Sequence, residues 1–301
     1  MKSYIIMGML LLCGGLYAKA ENRAMTVADN SDSTFCRFVP ERKGDFAWEN
    51  DRVAFRAYGK PTQKKPHAIV SGFDCFLKRV SYSVINKWYA MNQKGKSYHR
   101  DWGEGLDCYY VGASRGCGGS AVFYEGRYYA PEYFERSEVL ENNRTRSVFR
   151  LYYAPMIIGK DTVREVKTIT IEKGNHYFKC EDEWMSSLKL KVLGVGIAQH
   201  GGRGTVTGGR GWMSYWEPMQ QSELGLAVWC HRRNDAGKEM EKQGEDKDAN
   251  LWLHVKMHHN KATYYAGFSW AKAGYHTSNE AWTDYVGSVS KHLKEKRTHK
   301  K

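Results

Sequence analysis

The chain has 301 residues, a formal charge of +13 at pH 7 and an aromatic content of 14%. A chain this long buries a large core without cross-links. No run of residues approaches the roughly 20 apolar positions that a membrane-spanning helix needs, so no such helix is expected. So large a surplus of cations favours anionic partners and says nothing about fold.

Residues 1–20 read as a signal peptide. Lys2 is followed by an apolar stretch from Tyr4 to Leu12, and Ala18-Lys19-Ala20 gives the small-x-small pattern of a cleavage site. The mature chain then begins at Glu21 and is exported, to the periplasm or the medium. Cys13 follows Leu10-Leu11-Leu12 rather than the small residues of a lipobox, which places lipoprotein anchoring behind simple cleavage. Losing Lys2 and Lys19 leaves a charge of +11. Outside the cell this argues against nucleic acid and for acidic glycans, uronic-acid-bearing with or without sulfate. Six cysteines remain, Cys36, Cys75, Cys108, Cys117, Cys180 and Cys230, enough for three disulfides; some are equally suited to stay free as small buried groups.

Short β-branched or aromatic runs follow at 55–58, 68–70, 147–153, 167–172 and 188–195, several alternating apolar with polar and bounded by Gly, Asn or Asp. In 251–257, Leu251, Leu253, Val255 and Met257 fall on one face, and Trp252, His254 and Lys256 on the other. An apolar core and a polar, aromatic working face follow from that period. The clearest helix is C-terminal: Thr277-x-x-Glu280 resembles a capping box, and Ala281, Trp282, Tyr285, Val286, Val289 and Leu293 form its stripe. The fold class is all-β: a large antiparallel β-sandwich spanning 21–301 as one domain, covered by the C-terminal helix and ending in a basic tail over 293–301.

Ten tryptophans and twenty tyrosines suit sugar recognition, because an aromatic face stacks on the C–H face of a sugar ring. Most pack in the core; Trp102, Tyr109, Tyr110, Trp212 and Trp216 lie in or beside glycine-rich polar segments and are the better ligand candidates. The first such segment, 98–119, gathers His99, Arg100, Asp101, Glu104, Asp107 and Arg115 among its glycines. Ordering so many glycines is entropically costly, and close approach of backbone to ligand is one reason to accept the cost. The second, 199–218, carries His200, Arg203 and Arg210 and reads as a flexible lid or rim. It lacks the GxxxxGK[ST] pattern of a phosphate loop.

The stretch 37–59 (RFVPERKGDFAWENDRVAFRAYG), the 103–119 segment and Tyr152-Tyr153-Ala154-Pro155 together resemble the secreted bacterial family catalogued as domain of unknown function 4861, along nearly the whole mature chain. The resemblance implies a galactose-mutarotase-like β-supersandwich. It also implies a place among polysaccharide-degrading enzymes, with members similar to dehydratases of the non-reducing-end uronic acid of ulvan oligosaccharides. Such a reaction removes the C5 proton, expels the C4 hydroxyl as water and leaves a 4,5-unsaturated uronyl residue. It needs a cation at the carboxylate, a base and an acid. The chain offers Arg115 for the carboxylate, His99 or His200 as base, and Tyr109 or Tyr110 as acid. Asp101, Trp102, Asp107, Arg203, Arg210, Trp212 and Trp216 are the substrate-binding candidates. No cofactor is expected, a divalent metal being the alternative to arginine; His254 and His258, about 13 Å apart on an extended strand, are too distant to share one. A glycoside hydrolase drawing on Asp101, Glu104 and Asp107, and a non-catalytic glycan-binding or epimerase-like module, are the competing classes.

Overall fold

The computed structural model describes residues 32–60, 71–242 and 249–295. The leader with Cys13, the run at 68–70 and the last residues of the basic tail lie outside these. The elements are β1 (Phe35–Val39), β2 (Asp45–Glu49), β3 (Ala54–Ala57), β4 (Phe73–Lys78), α1 (Ile85–Gln93), β5 (Gly105–Asp107), β6 (Cys117–Tyr124), β7 (Arg127–Tyr129), β8 (Phe134–Asn142) and β9 (Arg146–Tyr153). Then come β10 (Met156–Ile158), β11 (Asp161–Glu172), β12 (Tyr177–Met185), β13 (Val192–Ala198), β14 (Thr205–Gly209), β15 (Trp212–Met219), β16 (Ser222–Cys230), β17 (Asp235–Met240), β18 (Asn250–Lys256), β19 (Lys261–Trp270) and α2 (Asn279–Glu295).

Pairing between these strands is antiparallel throughout. A nine-stranded sheet runs β14-β15-β16-β19-β12-β11-β9-β8, with β10 added on β11. Against it lie two five-stranded sheets, β1-β2-β3-β4-β5 and β17-β18-β13-β6-β7, tied to each other by a bridge between Phe73 and Gly116. One continuous core joins all three: Trp48, Phe55 and Phe73 from the first, Phe149, Phe178 and Phe268 from the large sheet, and Leu193, Val195, Leu251 and Leu253 from the third. Trp48 contacts Phe55, Phe73, Phe149 and Phe178 at ring separations of 5.2–5.6 Å. Each such pair contributes about 0.5–1.5 kcal/mol beyond its buried area. The expected large antiparallel sandwich is thus present, with its second layer split between two sheets.

Several local expectations are corrected. The run at 188–195 becomes strand only from Val192, and the glycine-rich 199–218 segment is no lid: most of it is the β14–β15 hairpin. Helix α2 is capped one residue later than Thr277, with Ser278 Oγ accepting from the Ala281 amide at 3.2 Å, and Ala281 itself is exposed. Its stripe of Trp282, Val286 and Val289 seals the outer face of the large sheet against Trp216, Ala227 and Trp229. Helix α1 has no counterpart in the sequence reading. Its cap is remote: the buried Glu49 carboxylate accepts from the Val84 and Ile85 amides at 2.9–3.0 Å while paired with Lys78 at 3.0 Å. The six cysteines among the described residues are free thiols, five of them buried.

Candidate active site

The structure scatters the predicted site residues. His99 is exposed, and its Nδ1 donates to the Asp107 carbonyl at 2.8 Å, which leaves Nε2 as the basic nitrogen. The Asp107 carboxylate belongs to a buried network on the outer face of the first sheet. There Arg56 pairs with Asp74, lies 3.1 Å from Asp107 and 3.9 Å from Asp45, and Tyr58 donates to Asp74 at 2.9 Å. Burial pushes Asp74 up to about 7. Arg56 stands directly across from Asp74 in the β3–β4 register.

Asp101 is consumed locally by Arg79 and the Gly103 and Gly105 amides, and Glu104 by Lys87, Tyr82 and the Trp88 indole. Asp101, Glu104 and Asp107 are thus each held in a separate set of contacts. His200 is unsuited to be a base. Nδ1 meets Glu217 at 2.6 Å and Nε2 donates to the Tyr110 carbonyl at 2.7 Å, so both nitrogens are occupied, an arrangement that favours the imidazolium. Burial opposes that charge, but Glu217 and the carbonyl prevail and raise the pKa. Tyr109 is buried edge-on to His200, whereas Tyr110 is exposed. Trp212 and Trp216 pack beneath α2, so the ring of Trp216 is unavailable to a ligand. Arg203 is exposed, and Arg210 donates to the Arg232 carbonyl.

Arg115 stands apart from these. Its guanidinium donates to Ser71 Oγ at 3.0 Å and the Ala113 carbonyl at 3.2 Å, and among the described residues it has no carboxylate within ion-pair distance. Its stem crosses Gly196 on the outer face of the third sheet, where a Cβ would meet Arg115 Cβ at 2.5 Å. One pleat away on the same face, roughly 7 Å along β13, Gly194 leaves room for two rings: a Cβ there would fall 2.8 Å from both Trp252 and Tyr128. These two glycines leave a trough along β13 that these side chains fill. Tyr128, from the edge strand β7, stacks in it on Trp252 with centroids 4.0 Å apart and planes at 7°.

The Tyr128 hydroxyl ends between two groups from the opposite edge, 2.6 Å from His254 Nε2 and 2.7 Å from Glu239 Oε2. Trp252 donates to Glu241 at 2.7 Å, fixing the stack. Burial, reinforced by Glu239, pushes the Tyr128 phenol far above its usual pKa, and burial pushes His254 down. A protonated phenol and a neutral imidazole thus share a hydrogen bond near neutral pH. The 251–257 alternation did point to this face; Trp252, however, is buried on it rather than open to ligand. Tyr128 carried no sequence signal, since β7 has three residues and its partners are 111 and 126 positions away. A hollow of about 390 Å³ opens beside Glu239, lined by Val206, Met213, Met240 and Leu251. Among the described residues no group of three or more His, Cys, Asp or Glu is placed to hold a metal, and no helix is long and apolar enough to cross a membrane.

Comparison with known proteins adds a family. An uncharacterized protein P7 from Formosa agariphila is 35% identical over 275 residues, covering 88% of this chain and 69% of that protein. Among solved structures, the alpha-N-acetylgalactosaminidase NagBb from Bifidobacterium bifidum in complex with GalNAc aligns over 87% of this chain with 10% identity and a TM-score of 0.40. A putative kojibiose phosphorylase from the human microbiome aligns over 88% with 10% identity and a TM-score of 0.39. The chain spans only 38% and 37% of those two structures. A family model matches residues 13–298, and the chain belongs to the family described as Domain of unknown function (DUF4861).

Proposed function

We propose that this protein acts on acidic oligosaccharides and eliminates water from a terminal uronic acid at the outer face of the third sheet. The observation that carries the reading is the Tyr128 hydroxyl held between His254 and Glu239, on the face that also bears an arginine without a carboxylate partner among the described residues. Arg115 would take the C6 carboxylate in a charge-assisted contact, spreading the charge that develops when C5 loses its proton. Neutral His254 accepts that proton at Nδ1, its Nε2–H being donated to the Tyr128 oxygen, and protonated Tyr128 donates to the C4 hydroxyl. The C4–O bond breaks, the C4–C5 double bond forms and water leaves. Because acid and base are hydrogen-bonded at 2.6 Å, a proton can return from imidazole to phenol and restore the starting state.

Roles thus pass from His99, His200, Tyr109 and Tyr110 to His254 and Tyr128, while Arg115 keeps its own. A panel of ulvan-, glycosaminoglycan- and pectin-derived oligosaccharides tests this through the ultraviolet absorbance of an unsaturated uronate. Absorbance that rises with the wild type and is absent with His254→Ala supports the assignment. Reducing-sugar release without absorbance would point to hydrolysis instead.

A further inference from the structure

The 96–105 loop carries a second feature, away from the trough. Trp102 is 42% exposed, with Lys96 Nζ 4.4 Å and Arg100 Cζ 4.5 Å from its ring centroid. The two cations are therefore no more than about 9 Å apart. Neither has a carboxylate within ion-pair distance among the described residues, and the adjacent Asp101 is spent on Arg79 and two backbone amides. The ring is held in place: its Nε1 donates to the Ser97 carbonyl at 2.9 Å, and the Tyr98 carbonyl accepts from the Asp107 amide at 2.9 Å. Behind it the buried Tyr98 hydroxyl accepts from Arg42 at 2.8 Å. Two cations held at one braced, exposed indole concentrate positive charge that a bound anion would offset.

We infer that Lys96, Arg100 and Trp102 form an accessory binding surface for the sulfate or carboxylate groups of a polyanionic glycan, distinct from the reaction site. It extends the proposed function, since it would hold sugar residues of the same chain remote from the reacting end. Polyanion binding is read without turnover: absence of product would count against the reaction and leave this surface standing. Heparin and polygalacturonate serve as probes, with neutral dextran as control, in affinity gel electrophoresis.

Lys96→Ala combined with Arg100→Ala is expected to weaken binding of either polyanion roughly 10-fold, a free-energy loss typical of two exposed charge contacts. Trp102→Ala, which keeps both cations but removes the ring that gathers them, should weaken it comparably. The double variant should melt at the wild-type temperature, because Lys96 and Arg100 are exposed. Unchanged polyanion affinity in the double variant, or an equal loss on dextran, overturns the inference. Full affinity in Trp102→Ala overturns the role given to the ring.

Discussion

Replacing Tyr128 with Phe removes one oxygen and keeps the ring that stacks on Trp252. The structural loss is two hydrogen bonds. Their partners are the Glu239 carboxylate, 46% exposed and readily rehydrated, and His254, which is half-buried. A net cost of about 1 kcal/mol follows, lowering the melting temperature by roughly 2–4 °C. The chemical loss is larger, because the group that protonates the departing C4 oxygen is gone, and removing a positioned general acid costs about 10²–10⁴-fold in kcat. Thermal unfolding and initial rates on one uronate-terminated oligosaccharide, measured on the same preparation, separate the two effects. A variant that retains full rate, or whose rate falls only in step with its folded fraction, refutes the acid role of Tyr128.

Four further outcomes follow from the packing and the charges. Gly194→Ala drives a methyl to within 2.8 Å of Trp252 and Tyr128, costs about 1–3 kcal/mol by overpacking and displaces the acid; its turnover should fall at temperatures where it remains folded. Gly287→Ala, in α2 where an added methyl meets no described atom beyond the helix's own backbone, should instead stabilise by up to about 1 kcal/mol and leave turnover alone. Lys167→Met strands Asp182 and Glu165 in the sandwich interior, where burial and Asp182 already push Glu165 up to about 8. Loss of about 3–5 kcal/mol is expected in denaturant unfolding, with partial recovery on adding Glu165→Gln. The His200 latch has a raised folded-state pKa, so its stabilisation is complete below the unfolded value of about 6.5 and is lost as pH rises through the folded pKa. His200→Gln should remove that part of the slope of melting temperature against pH; an unchanged slope would exclude the latch.

How much of this could be read in advance depended on distance along the chain. The β18 alternation, the α2 stripe and the sandwich class rest on neighbours within a few residues, and those were legible. Helix α1 was not, because the carboxylate that caps it lies 35 positions earlier on β2. Arg56 stood in view as a strand residue, but its meaning depends on cross-strand Asp74 and on Asp107, 51 positions away. In the glycine-rich segments, residue types suited to catalysis proved to be spent on folding: Asp101 closes a turn, Glu104 anchors α1 and His200 ties two loops. Tyr128 and His254 meet because Gly194, on a third strand, leaves room for the Tyr128 ring. No local pattern records that coincidence.

Mass spectrometry of products from uronate-terminated oligosaccharides, run in parallel for the wild type and Arg115→Ala, tests the central claim most directly. The account predicts a product lighter by one water from the wild type and little or none from the variant. A gain of one water, or dehydration that proceeds undiminished without Arg115, would contradict it.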